Sequence, residues 1–81
     1  MPKTIFSAGQ ECLQKLLRET RVGAGLTQLE LAKWLQQPQS FVSKFEGGER
    51  CLDLIELRDI CRALRIPLLK FVSRFEKRQR G

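Results

Sequence analysis

The chain has 81 residues, 42% hydrophobic and 30% charged, a composition that fits one ordinary globular domain and is too short for a second. Fifteen Lys and Arg against nine Asp and Glu give a net charge of +6, which favours a polyanionic partner, nucleic acid before an anionic membrane. There is no His, and the three cysteines follow no CxxC spacing, so mixed Cys/His zinc sets are excluded and no metal or cofactor is expected.

Charge alone decides nothing, because many small soluble proteins are basic. The opening Met1 to Phe6 lacks the apolar stretch of a signal peptide, and no later run approaches the length of a membrane span. A cytoplasmic protein with no membrane partner and free thiols is therefore expected. Cys12 and Cys61 fall on or beside apolar helical stripes, where Cys acts as a small hydrophobe. Cys51 sits in a loop and reads as an incidental thiol.

In chain order the signals are helical. Ser7 and Gln10 form an S-x-x-Q capping box opening a first helix from Ala8 to about Arg21, with Leu13, Leu16 and Leu17 inward. Gly23 and Gly25 break it. Thr27 and Glu30 cap a second helix, stapled by Leu26 and Leu31, which buries Leu31, Ala32 and Leu35. Gln37 precedes Pro38, whose ring disfavours helical backbone in the residue before it. Pro38 thus stops one helix and, with its φ fixed, starts another from Gln39 to about Glu46. Gly47 and Gly48 close that third helix. Asp53 with Glu56 and Leu52 with Leu57 repeat the box and staple for a fourth, whose inner stripe is Leu57, Ile60, Cys61 and Leu64. Pro67 starts a fifth carrying Leu68, Phe71, Val72 and Phe75 at helical spacing. The expected fold is all-α, a compact five-helix single domain spanning residues 1–81, with a core over about 7–76 and a basic tail over 77–81.

On a wheel of 3.6 residues per turn, Val42 and Phe45 share one side of the third helix and Phe41 stands at its edge. Gln39, Ser40, Ser43 and Lys44 spread over the opposite side. A small Ala32 and the short Gln36–Pro38 link hold the second and third helices close and at a large angle, the pattern of a helix-turn-helix. Taken alone, such a polar flank is more often simply solvated.

The stretches LTQLELAKWL and PQSFVSKFEGGER resemble the helix-turn-helix of the lambda-repressor/Cro-like (XRE) family of DNA-binding regulators, and the likeness covers Leu13 to about Leu69. It implies five helices with the third in the DNA major groove. It implies that Gln28 opens the second helix against a phosphate and braces the third. Gln39, Ser40, Ser43 and Lys44 would face the bases, with Gly48 and Arg50 in a loop that meets the DNA backbone. It also implies an internal salt bridge between Arg21 and Glu46. Elementary chemistry agrees: Gln pairs bidentately with adenine, Lys donates to guanine O6 or N7, and serines are short enough to let the helix sink in. Amides at the starts of the second and third helices attract phosphate.

The family pattern has Gly where Gln36 stands and often an apolar residue where Gln37 stands. It also tends to have Gly at the end of the fourth helix, where this chain has Arg65. A left-handed non-Gly residue costs roughly 1–2 kcal/mol, so the expectation is that Pro38 reshapes the turn instead.

The stripe Leu68, Phe71, Val72, Phe75 either covers the core or, as the candidate dimer face, pairs two copies, and Lys77, Arg78 and Arg80 would add phosphate attraction. Trp34 is expected to pack partly on neighbouring helices and has no reading role. The expected function is a non-enzymatic, sequence-specific double-stranded DNA-binding repressor acting as a homodimer on a pseudo-palindromic operator. The alternative is an antitoxin or phage or plasmid control protein whose main role is binding a partner protein. Neither a His base, nor a paired-carboxylate cleft, nor a phosphate-cradling Gly loop is present to suggest catalysis.

Overall fold

Capping chemistry sets the helix boundaries in the computed structural model, which describes residues 8–80. The helices are α1 (Ala8–Gly23), α2 (Gln28–Leu35), α3 (Gln39–Gly47), α4 (Leu54–Ala63) and α5 (Leu68–Arg80), with no strand among the described residues. Thr27 accepts from the Glu30 amide while the Glu30 side chain accepts from the Thr27 amide, so two otherwise orphaned donors are satisfied at the start of α2. Asp53 and Glu56 repeat this at α4. The Ser7–Gln10 cap expected for α1 falls partly outside the described residues. None of the helices described is long and apolar enough to cross a membrane.

The turns depart from expectation. Gln36 is left-handed, at φ 57 and ψ 41, and its amide and that of Gln37 close back on the last carbonyls of α2. Arg65 is left-handed too, at φ 61, and the Ile66 amide reaches back to the Cys61 carbonyl at 3.0 Å. Both are helix ends of the kind glycine usually makes. Pro38 therefore does not replace the left-handed residue. It follows it, in extended backbone at φ −69 and ψ 156, as the N-cap of α3. The hydrogen bonds that terminate α2 and α4 require the left-handed geometry whatever residue stands there, and the chain carries the strain.

Leu16, Leu17, Leu31, Ala32, Val42 and Phe45 meet Ile60, Cys61, Leu64 and Phe71 in one core. α1 packs against both α3 and α5, α2 against α3 and α4, and α4 against α5. Ala32 is buried on α2, the helix that packs against both α3 and α4, and a larger side chain there would push its neighbours apart.

Two expectations about α5 are corrected here. Its helix continues through Arg80, so residues 77–80 belong to α5. Phe71 is only 1% exposed and belongs to the monomer core, and Leu68 and Phe75 pack against that core. Three of the stripe's four residues therefore help to close the core of this short chain. Of the four, Val72 alone is exposed, while the neighbouring Leu69 is 85% exposed.

Candidate nucleic-acid interface

α3 has two unlike sides because Val42 and Phe45 both point into the core. That orientation leaves Gln39, Ser40, Ser43 and Lys44 exposed. No side chain caps α3 at Pro38, so its first turn presents amides to whatever acceptor approaches.

Behind this surface lies a polar network anchored on Glu46. Arg21 Nε donates to Glu46 Oε2 at 2.7 Å and Arg21 Nη2 to Glu46 Oε1 at 3.1 Å. The two side chains are 10% and 4% exposed, so this is a buried bidentate pair. The third arm of the guanidinium, Nη1, donates to the Leu26 carbonyl at 2.8 Å and so fixes the α1–α2 loop. Gln28 Nε2 donates to Glu46 Oε1 at 3.0 Å, and Gln39 Nε2 reaches Gln28 Oε1 at 3.5 Å, the long limit for such a bond. One carboxylate thereby ties α1, α2 and α3 together, and the chain of bonds ends on the first residue of α3.

The loop after α3 is less open than its composition suggests. Gly48 is buried and left-handed at φ 85, and its amide donates to the Lys44 carbonyl, so that amide is already engaged in ending α3. A Cβ there would lie 2.9 Å from the Gln14 amide nitrogen. Gly48 thus shapes the loop, ending α3 with its amide and leaving room for Gln14 where a Cβ would stand. Arg50 is also held: Nη2 lies 2.6 Å from Glu56 Oε2, Nη1 donates to the Cys51 carbonyl at 3.1 Å, and the guanidinium sits 4.7 Å from the centroid of the Phe41 ring. Phe41 in turn meets Phe45 edge-on at 5.4 Å. Phe41 and Arg50 thus form a stack on the edge of the core rather than a free aromatic and a free cation.

Of the residues singled out in the sequence, Gln28, Gln39, Arg21 and Glu46 are brought into one network. Ser40, Ser43 and Lys44 share the exposed flank, whereas Gly48 and Arg50 have structural partners. Sequence reasoning missed Gln14, which lies over Gly48, and underestimated Trp34, which is 66% exposed near the end of α2. Trp34 was legible on the wheel: it lies off the Leu31, Ala32, Leu35 side.

A helix-turn-helix family model matches residues 17–71. An XRE-family like protein from Pseudomonas syringae pv. tomato str. DC3000 superposes with a TM-score of 0.84 over 93% of this chain and 92% of its own, at 48% identity. The clp gene regulator ClgR from Corynebacterium glutamicum shares the fold at a TM-score of 0.77 and 24% identity, over 88% of this chain and 91% of that one. So does the restriction-modification controller protein C.Esp1396I, whose tetramer is in complex with its natural 35 base-pair operator, at a TM-score of 0.81 and 22% identity, over 88% and 93% of the two chains. No curated protein matches the chain. The family match runs from α1 to α5 and takes in the whole α2–turn–α3 unit, and the chain belongs to the XRE family of helix-turn-helix DNA-binding regulators.

Proposed function

We propose that the protein is a cytoplasmic, sequence-specific regulator, a repressor, that places α3 in the major groove of double-stranded DNA and acts by binding alone. The observation that carries this reading is the exposed flank Gln39, Ser40, Ser43, Lys44 on a helix whose other side is anchored by Val42 and Phe45. A major groove admits one helix, and only the side turned from the core can touch base edges. Gln39 pairs with adenine and Lys44 with guanine, while the two serines allow close approach. Gln28 acts from behind, since its amide already bonds Glu46 and reaches Gln39.

The regulator works as a homodimer on a two-fold operator. Support comes from the operator-bound tetramer of the similar C.Esp1396I and from apolar side chains left exposed on α4 and α5, Leu54, Ile55, Leu69 and Val72. Selection of bound fragments from random duplex DNA tests the reading. A two-fold motif with half-sites about 34–36 Å apart is expected, and a featureless pool contradicts it.

A further inference from the structure

We infer, on the reading that α3 enters a major groove, that Gly47 is a further DNA-contact position, whose missing side chain lets the last turn of α3 close against one deoxyribose–phosphate strand. Two adjacent glycines stand at the end of α3, and the fold accounts for only one of them. Gly48 is left-handed at φ 85, and a Cβ there would stand 2.9 Å from Gln14 Nε2. Gly47 is the last residue of α3, its φ is not positive, and a Cβ there would meet no atom within 4 Å. Alanine is preferred to glycine in helical backbone, because glycine gives up more conformational freedom on folding. The monomer thus gains nothing from a glycine at this position.

Position supplies the reason. At about 100° per residue, Gly47 lies about 20° around the helix from Ser40 and about 40° from Ser43. It lies about 140° or more from Val42 and Phe45, which face the core. Gly47 is itself exposed, so it continues the flank of Ser40, Ser43 and Lys44 to the end of the helix.

A helix with its side chains is about 10–12 Å across and the major groove about 12 Å wide, so the walls leave almost no clearance. The first residues of a groove-bound helix reach the base edges, and its last turn meets the groove wall, which is sugar and phosphate. A bare Cα at residue 47 admits that strand at backbone distance, as glycine does wherever main chain passes close to a ligand. A methyl group in the same place would hold α3 off the strand.

The test compares the full chain with Gly47→Ala, Gly47→Leu and Gly23→Ala on two probes at matched salt, a short random-sequence duplex and the duplex recovered by selection. Gly23 ends α1, has the same open space around it, and lies about 180° around α1 from Gln14, the residue that meets Gly48. It reports what a helical glycine-to-alanine change does away from α3. Expected is a higher thermal midpoint for both alanine variants. Duplex affinity falls by roughly tenfold or more for Gly47→Ala, falls further for Gly47→Leu, and stays unchanged for Gly23→Ala. The losses appear on both duplexes, because the sugar–phosphate strand is the same in each. Stability and binding thus move in opposite directions at residue 47, which a helix-ending role alone does not produce. A lower midpoint for Gly47→Ala, unchanged or higher affinity of that variant, or a loss confined to the selected duplex overturns the inference and leaves the reading of α3 intact. Failure of the unaltered chain to bind any duplex at low ionic strength overturns both.

Discussion

Gln28 Nε2 lies 3.0 Å from Glu46 Oε1, on the same oxygen that Arg21 Nη2 holds at 3.1 Å. The start of α2 is thus tied to the last turn of α3 through a carboxylate whose charge is neutralised from α1. Removing one member leaves a buried charge without its partner. Glu46→Ala is expected to cost about 3–5 kcal/mol, which approaches the whole stability of a domain this small. Urea denaturation followed by circular dichroism checks this. The combined replacement Arg21→Met, Glu46→Leu should recover much of the loss, because well-packed apolar side chains avoid the unpaired charge. An unchanged midpoint for Glu46→Ala would mean the pair carries no structural load.

Gln36 and Arg65 hold the left-handed conformation without being glycine. Gln36→Gly and Arg65→Gly each relieve roughly 1–2 kcal/mol of strain and lose part of that to the greater freedom of glycine in the unfolded chain, about 0.4–1 kcal/mol. A net gain of about 1 kcal/mol or slightly less is expected for each, raising the thermal midpoint by roughly 4–8 °C per kcal/mol. Calorimetry on the two single variants and the pair decides it, and a fall in midpoint contradicts the strain argument.

Arg50 is half-exposed and shared among Glu56, the Cys51 carbonyl and the Phe41 ring. Its partially exposed ion pair contributes about 0–1 kcal/mol and the ring contact about 0.5–1 kcal/mol. Arg50→Ala should therefore lower the melting temperature by a few degrees. Phe41→Ala should lower it more, since it also strips an edge-on partner from Phe45. If Arg50→Ala weakens duplex binding strongly while leaving the melting temperature unchanged, its guanidinium leaves this stack for a phosphate.

The three thiols differ by environment. Cys51 is exposed, Cys12 half-buried and Cys61 buried, and burial pushes the Cys61 thiol up from 9.0 to about 11. A thiol-reactive reagent at mildly alkaline pH should modify Cys51 first and Cys61 only on unfolding. The raised value has a thermodynamic sign. Between about 9 and about 11 the unfolded chain has lost the Cys61 proton while the folded chain keeps it, so stability falls as pH rises through that window. Cys61→Ala should flatten that decline, and denaturation midpoints across the window measure it.

The helices were legible because their ends are written in side chains: Thr27 with Glu30, and Asp53 with Glu56, make the same bonds in the structure as in the pattern. The core side of α3 was equally legible, since Val42 and Phe45 leave little choice of orientation. The left-handed Gln36 and Arg65 were not, because backbone geometry there is imposed by hydrogen bonds to carbonyls of the preceding helix and not by the residue itself. The sequence left the role of Phe71 between core and dimer face for a related reason. A helical stripe shows that a face is buried, and only the packing of α1 and α4 shows that this chain itself buries it. The bond from Arg50 to Glu56 was not legible, because the two residues lie six apart and in different elements.

The direct measurement of the claim about α3 is the affinity of Gln39→Ala and Lys44→Ala for the selected duplex and for random duplex, at matched salt. Each variant should lose about 1–3 kcal/mol on the selected duplex, with relaxed preference at one base pair and little change on random DNA. Equal losses on both duplexes would contradict it, because these side chains would then touch phosphates and the exposed flank of α3 would carry no sequence reading.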